Sequence, residues 1–265
     1  MLILNEAKYA KDVYDGKNVG VKSIMAKIRY VTRHLIHSEG QSAEDVYANT
    51  IKWLKANHDN FDESCYSNVV SDAIKKAYKY PFYIIDNIKI AQSELDAISS
   101  LGDLRAEKVL FVLLCIAKQQ RLSNGFTNGL VKYSITDVCK MARVSVPADD
   151  REYIFHNILK NGLIDIPKKN DTKCLIIKFM NFDDVVLDLD ENDCKELAYV
   201  YLNWKNNGKG YTKCKKCQRW MKQSKTKPKK YCEECAKESH LESKRLSEQR
   251  RRDKIRGQNL TQQND

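Results

Sequence analysis

Tyr211-Thr-Lys-Cys-Lys-Lys-Cys217 and Lys230-Tyr-Cys-Glu-Glu-Cys-Ala236 hold two Cys-x-x-Cys pairs with fourteen residues between them. Two residues between cysteines let the backbone curl into a knuckle that points both sulfurs at one ion. Two such knuckles supply the four thiolates of a tetrahedral site, each about 2.3 Å from the metal. The pattern predicts one structural Zn²⁺ held by Cys214, Cys217, Cys232 and Cys235. The gap is long enough for a short hairpin turning at Ser224-Lys-Thr-Lys-Pro228. Lys213, Lys215 and Lys216 crowd the first knuckle and favour thiolate over thiol. Disulfides are the alternative, but Met1-Leu-Ile-Leu4 is far too short for the apolar core of a secretory signal.

Charge points to the same region. The chain carries a formal +11. Residues 205–265 hold 19 Lys and Arg against 7 Asp and Glu, a net +12, while residues 1–204 hold 27 against 28, a net −1. The polyanion-binding candidate is therefore the last quarter of the chain. At 42% hydrophobic and 31% charged, the remainder can bury a core. No run reaches the eighteen apolar residues of a membrane span, so the chain is expected to be soluble and cytoplasmic, with no membrane partner.

Periodicity predicts a largely helical N-terminal region. Helices are expected over Asn5–Tyr14, Val21–Ser38, from Ser42 to near Asn57, and from Ser64 to before Pro81. His34 and His37, three residues apart, could share a metal, but no further ligand pattern completes a site. Phe82 to Ile90 reads as a small hairpin turning at Asp86-Asn87, residues that tolerate positive φ. Ser93 then heads a short helix.

After the Leu101-Gly-Asp103 break, Arg105–Gln120 is a helix buried on nearly every side. A two-turn helix Ile135–Ala142, a turn, a helix Asp149–Lys160 and a hairpin from Leu163–Ile166 to Cys174–Phe179 follow. Helix, short helix, turn, helix and two-stranded wing in that order resemble a winged helix-turn-helix domain over Arg105–Phe179. The resemblance implies a helix Ala148–Lys160 in the major groove, with Lys168, Lys169 and Lys173 of the wing on phosphate. Asp149, Asp150 and Glu152 at the start of that helix repel phosphate, so a winged helix serving protein contacts stands equally open. The acidic stretch Asp183–Asp193 could hold Mg²⁺ for nuclease chemistry, or could be two acidic turns around a strand. Beyond Cys235, Ala236–Arg256 reads as an exposed helix ending in basic residues.

The expected fold is α+β and predominantly helical. A helical domain with a hairpin (1–100) is followed by a winged-helix-like domain with a C-terminal helix (101–204), then a zinc ribbon and basic helical tail (205–265). This organisation resembles small, poorly characterised proteins of bacteriophages and prophages, which implies a regulatory, replication or transcription role and no defined activity. The first expectation is a non-enzymatic nucleic-acid-binding protein, its partner DNA rather than RNA. Lys213, Lys215, Lys216, Arg219, Lys222, Lys229 and Lys230 of the ribbon, with Arg245, Arg250, Arg251 and Arg252 beyond it, would grip the backbone. The second is an adaptor docking on a polymerase, helicase or nuclease. A metal-dependent nuclease comes last, since there is no nucleophile–base pair, no Gly-rich phosphate cradle and no open three-ligand metal site.

Overall fold

The computed structural model describes residues 2–261 except 18–19, 22, 60, 126–128, 133, 168–173 and 225, with side chains described through Arg252. The fold is predominantly helical with a few small sheets. The chain forms two compact units, Met1–Cys194 and Lys195–Asp265.

The first unit begins with four helices, α1 (Glu6–Tyr14), α2 (Ile24–His37), α3 (Ala43–Asn57) and α4 (Glu63–Lys79). Their starts follow from capping chemistry. The side chain of Asn5 accepts from Lys8 N at 2.9 Å, and that of Ser42 from Asp45 N at 3.2 Å. The fourth helix starts on Asp62, which accepts from the Ser64 amide at 2.9 Å. A carboxylate there also favours the positive end of the helix dipole, so the start lies just ahead of the serine expected to begin it. The apolar stripe of α2 (Ile28, Val31, Leu35) is fully buried with Val46, Leu54, Val70 and Ile74 from α3 and α4. Arg33 on the same helix is drawn inward to pair with Glu6, and it donates to the Pro81 carbonyl at 2.7 Å.

The hairpin expected over 82–90 does not form. A two-residue turn of that kind needs positive φ, which neither Asp86 nor Asn87 adopts. The two halves pair elsewhere instead. Ile85 N donates to Leu4 O at 2.9 Å and Ile84 bridges Asn5. Strand β1 (Ile88–Ala91) runs antiparallel to the distant β5 (Val185–Leu189), with Ile88 opposite Leu189 and Lys89 opposite Asp188. Asn87 supports this register by donating its side-chain amide to Asp188 at 3.0 Å. The pairing bridges the boundary drawn near residue 100.

Helix α5 (Gln92–Ser99) follows directly, then α6 (Leu104–Asn124), capped by Asp103 and closed by Gly125 at φ 69°. Val109–Ala117 of α6 is buried on all sides. At its end, the buried Lys118 ammonium spends its three protons on Glu94 Oε2, Lys89 O and Asn181 O, each at 2.7 Å. Glu94 also accepts from the amides of Ala91 and Asn181. A buried ion pair is tolerated when such hydrogen bonds complete it. This one ties β1, α5, α6 and the segment before β5 together.

Strand β2 (Leu130–Lys132), helices α7 (Ile135–Met141) and α8 (Ala148–Lys160), and strands β3 (Ile164–Asp165) and β4 (Cys174–Ile177) complete the unit with β5. Their antiparallel sheet has the order β2-β4-β3. Strand β2 is not legible in the sequence. Three residues are too few for a visible alternation. Gly129 makes the approach possible: at φ 70° its carbonyl accepts from Ile177 N at 2.9 Å, and a Cβ there would meet Ile177 O at 2.4 Å. Lys168, Lys169 and Lys173, expected on the wing between β3 and β4, lie outside the described residues.

The second unit holds α9 (Leu197–Lys205), strands β6 (Tyr211–Lys213) and β7 (Trp220–Lys222), and α10 (Glu233–Thr261). Helix α9, expected to close the middle domain, belongs instead with the ribbon, where the Tyr199 and Tyr211 rings meet at 5.3 Å. Among the described residues no helix is long and apolar enough to cross a membrane.

Candidate metal centre and basic surface

The four cysteines converge. One strand pair and one helix start place them. Strands β6 and β7 run antiparallel with Tyr211 opposite Lys222 and Lys213 opposite Trp220, and the first knuckle is the turn between them. Cys214 N closes it by donating to Arg219 O at 2.9 Å, while Gln218 takes the left-handed conformation at φ 58°. This relocates the expected hairpin: it spans the knuckle and does not lie within the gap. Among the described residues no strand follows the turn around Ser224–Pro228, within which Lys225 lies outside them. The second knuckle is a helix start. Cys232 O accepts from Ala236 N at 2.9 Å, so Cys232 stands as N-cap of α10 and Cys235 lies in its first turn.

The four Sγ atoms all lie within 4.8 Å of one another, and those of Cys217 and Cys232 are 3.6 Å apart. A tetrahedron with metal–sulfur bonds of about 2.3 Å has edges of about 3.8 Å, so the donor set fits a tetrahedral thiophilic ion. The electrostatics also suit a thiolate at Cys214. Burial pushes the Cys214 thiol up, but backbone N–H groups of Cys217, Cys232 and Lys216 outweigh it and bring it down to about 6. One of these, Cys232 N, lies 3.3 Å from the sulfur. Burial and the three neighbouring sulfurs push the Cys235 thiol up, a crowding that a divalent cation relieves by replacing protons. Met221 packs with Cys214, Cys232 and Cys235 as the small apolar core beside the sulfurs.

The basic residues separate into two groups. Arg219 pairs with Glu234 at 2.8 Å and Lys216 with Glu238 at 3.1 Å, so these two cations clamp the ribbon to the first turns of α10. The Glu238 hydrogen bond raises the Lys216 pKa. The sequence reading missed Glu234 and Glu238 as partners, although carboxylates inside and just beyond the second knuckle face a basic first knuckle. Lys215, Lys222, Lys229 and Lys230 are exposed on the ribbon, and Arg245, Arg250, Arg251 and Arg252 on α10. Lys213 lies over the Trp220 ring, 5.5 Å from its centroid, which covers one face of that indole. Tyr231 is partly exposed.

The other candidates are dispersed. His34 Nε2 faces Glu39 at 3.3 Å and His37 Nε2 faces the Ala77 carbonyl at 2.8 Å, so the two rings serve separate partners. Along the acidic stretch, Asp190 caps the Asn192 and Asp193 amides, Asp188 accepts from Asn87, and Glu191 pairs with Lys8 at 2.7 Å. Among the described residues, the four cysteines are the group of three or more metal-capable side chains within mutual reach. No family model, no curated protein and no solved structure matches this chain.

Proposed function

We propose that this chain is a non-enzymatic DNA-binding protein whose second unit grips the phosphate backbone, with Zn²⁺ as the ion that assembles the grip. The observation that carries the reading is the continuity of a four-thiolate ribbon, its exposed lysines and a basic, fully exposed helix in one compact unit. Binding led by such a surface is salt-sensitive and weakly sequence-specific, because each neutralised phosphate releases counterions and carries no base information. In the first unit, the order α6-β2-α7-α8-β3-β4 with sheet order β2-β4-β3 supports the winged-helix reading. Such a module would add whatever sequence selectivity the protein has. A regulatory or accessory role in phage replication or transcription agrees with this pairing of modules.

One observation favours an adaptor as the second reading. Asp149 and Asp150 are exposed at the start of α8, where they oppose the approach of phosphate. An acidic helix start suits a protein surface.

The test is fluorescence anisotropy of full-length, zinc-loaded protein on labelled DNA across a salt series. DNA affinity that falls steeply with salt supports the proposal. Absence of binding at low salt rejects it and leaves the adaptor.

A further inference from the structure

Helix α10 is 29 residues long, about 43 Å at 1.5 Å per residue. Every described side chain from Ala236 to Arg252 is exposed, so no part of the described chain covers it beyond its first turns. Between Ser243 and Arg252 it carries five cations, Lys244, Arg245, Arg250, Arg251 and Arg252, against the single carboxylate of Glu248. At 3.6 residues per turn, side chains seven apart fall nearly in line. Lys237, Lys244 and Arg251 form one such line and Arg245 with Arg252 the next. Together they fill about a third of the helix circumference. Leu241 and Leu246 are five apart and point to different sides, so the helix up to Arg252 has no apolar seam for a second helix.

Resting on the DNA-binding reading above, we infer that α10 is a groove-seated, phosphate-gripping element for duplex B-form DNA. It lies in the major groove with the Lys244/Arg251 and Arg245/Arg252 lines on opposite phosphate walls. The ribbon holds the adjoining backbone through Lys215, Lys229 and Lys230. A B-form major groove is about 12 Å wide and admits an α-helix, whereas the A-form major groove of double-stranded RNA is too deep and narrow. Single-strand binding calls for exposed aromatic platforms. Residues 233–261 contain no aromatic other than His240, and on the ribbon Trp220 is half-covered by Lys213, which leaves Tyr231 as a single exposed aromatic rather than a row of platforms. The Glu234–Arg219 and Glu238–Lys216 pairs link the first turns of α10 to the ribbon, so helix and ribbon meet one duplex as a single surface.

The test uses full-length, zinc-loaded protein and a 24-base-pair DNA duplex, its single strand and the matching RNA duplex, each across a salt series. We expect the DNA duplex to bind at least tenfold tighter than the other two. Methyl green, which fills the major groove, should compete and netropsin in the minor groove should not. Arg245→Ala/Arg251→Ala/Arg252→Ala should weaken duplex binding about thirtyfold or more. It should also lower the slope of log affinity against log salt by about 3, near 0.9 per phosphate contact. The corresponding triple Lys variant keeps the charges and should keep the slope, which separates lost contacts from misfolding. Equal or tighter binding of the single strand or the RNA duplex overturns the groove assignment and leaves nucleic-acid binding standing. So does a triple Ala variant that retains zinc and binds duplex unchanged. If the wild-type protein binds none of the three at low salt, the DNA-binding reading itself falls, and this inference with it.

Discussion

Gly129 shows how much one residue can decide. Its φ of 70° and the 2.4 Å approach that a Cβ would make to Ile177 O leave room for glycine alone beside β4. Gly129→Ala should therefore destabilise the first unit by about 2 kcal/mol, combining left-handed strain with a backbone clash. Urea unfolding would measure it, and an unchanged midpoint would mean β2 does not pack as described. His34 makes a second case. It is buried, its Nδ1 has no hydrogen-bond partner among the described residues, and burial lowers its pKa below 6.5 despite Glu39. A lowered histidine pKa means the unfolded chain binds the proton first, so stability falls as pH drops from about 6.5 toward the lower folded value. His34→Gln should flatten this part of the pH–stability curve; a curve of unchanged slope would show that another group sets it.

At the scale of elements, the Lys118–Glu94 pair is the joint of the first unit. With side chains 2% and 0% exposed, neither partner can turn to water. Lys118→Met leaves a buried carboxylate without its cation and should cost about 3–5 kcal/mol. Lys118→Met/Glu94→Gln should recover part of that loss, because a neutral amide needs no counter-charge. Chemical denaturation of both variants checks this, and a single-variant loss below about 1 kcal/mol would refute the joint. Periodicity and capping made the helices legible, since Asn5 and Ser42 are local signals that act within one turn. The 82–90 hairpin misled for the opposite reason. Two apolar runs around Asp86-Asn87 satisfy a local rule, yet β1 finds its partner about a hundred residues away, where Asn87 bonds Asp188 and Leu189 meets Ile88.

For the whole molecule, the first unit holds the buried α6 and the apolar cluster of α1–α4, and the second holds the four sulfurs with Met221 beside them. Removing the metal with a strong chelator should therefore strip amide protection from residues 211–235 while leaving Val109–Ala117 protected. A small ribbon with Met221 as its main apolar side chain has little else to hold it. Cys214→Ser should reproduce the effect without chelator. Hydrogen exchange by mass spectrometry reads both, and loss of protection spreading across the first unit would show that the cores are coupled.

The sequence by itself picked out the four cysteines that converge, because Cys-x-x-Cys spacing is a local constraint that a knuckle satisfies in any fold. It also determined most of the helices to within a residue or two of their starts and the concentration of positive charge after residue 205. Tertiary structure alone decided which strands pair, since hydrogen bonding between strands is indifferent to separation along the chain. It also decided which cations are drawn into ion pairs. Lys216 and Arg219 read as equals of Lys215 and Lys230 until folding brings Glu238 and Glu234 within 3.1 and 2.8 Å of them. Charge in a sequence is a sum, whereas charge on a surface depends on which opposite charges the fold places next to it.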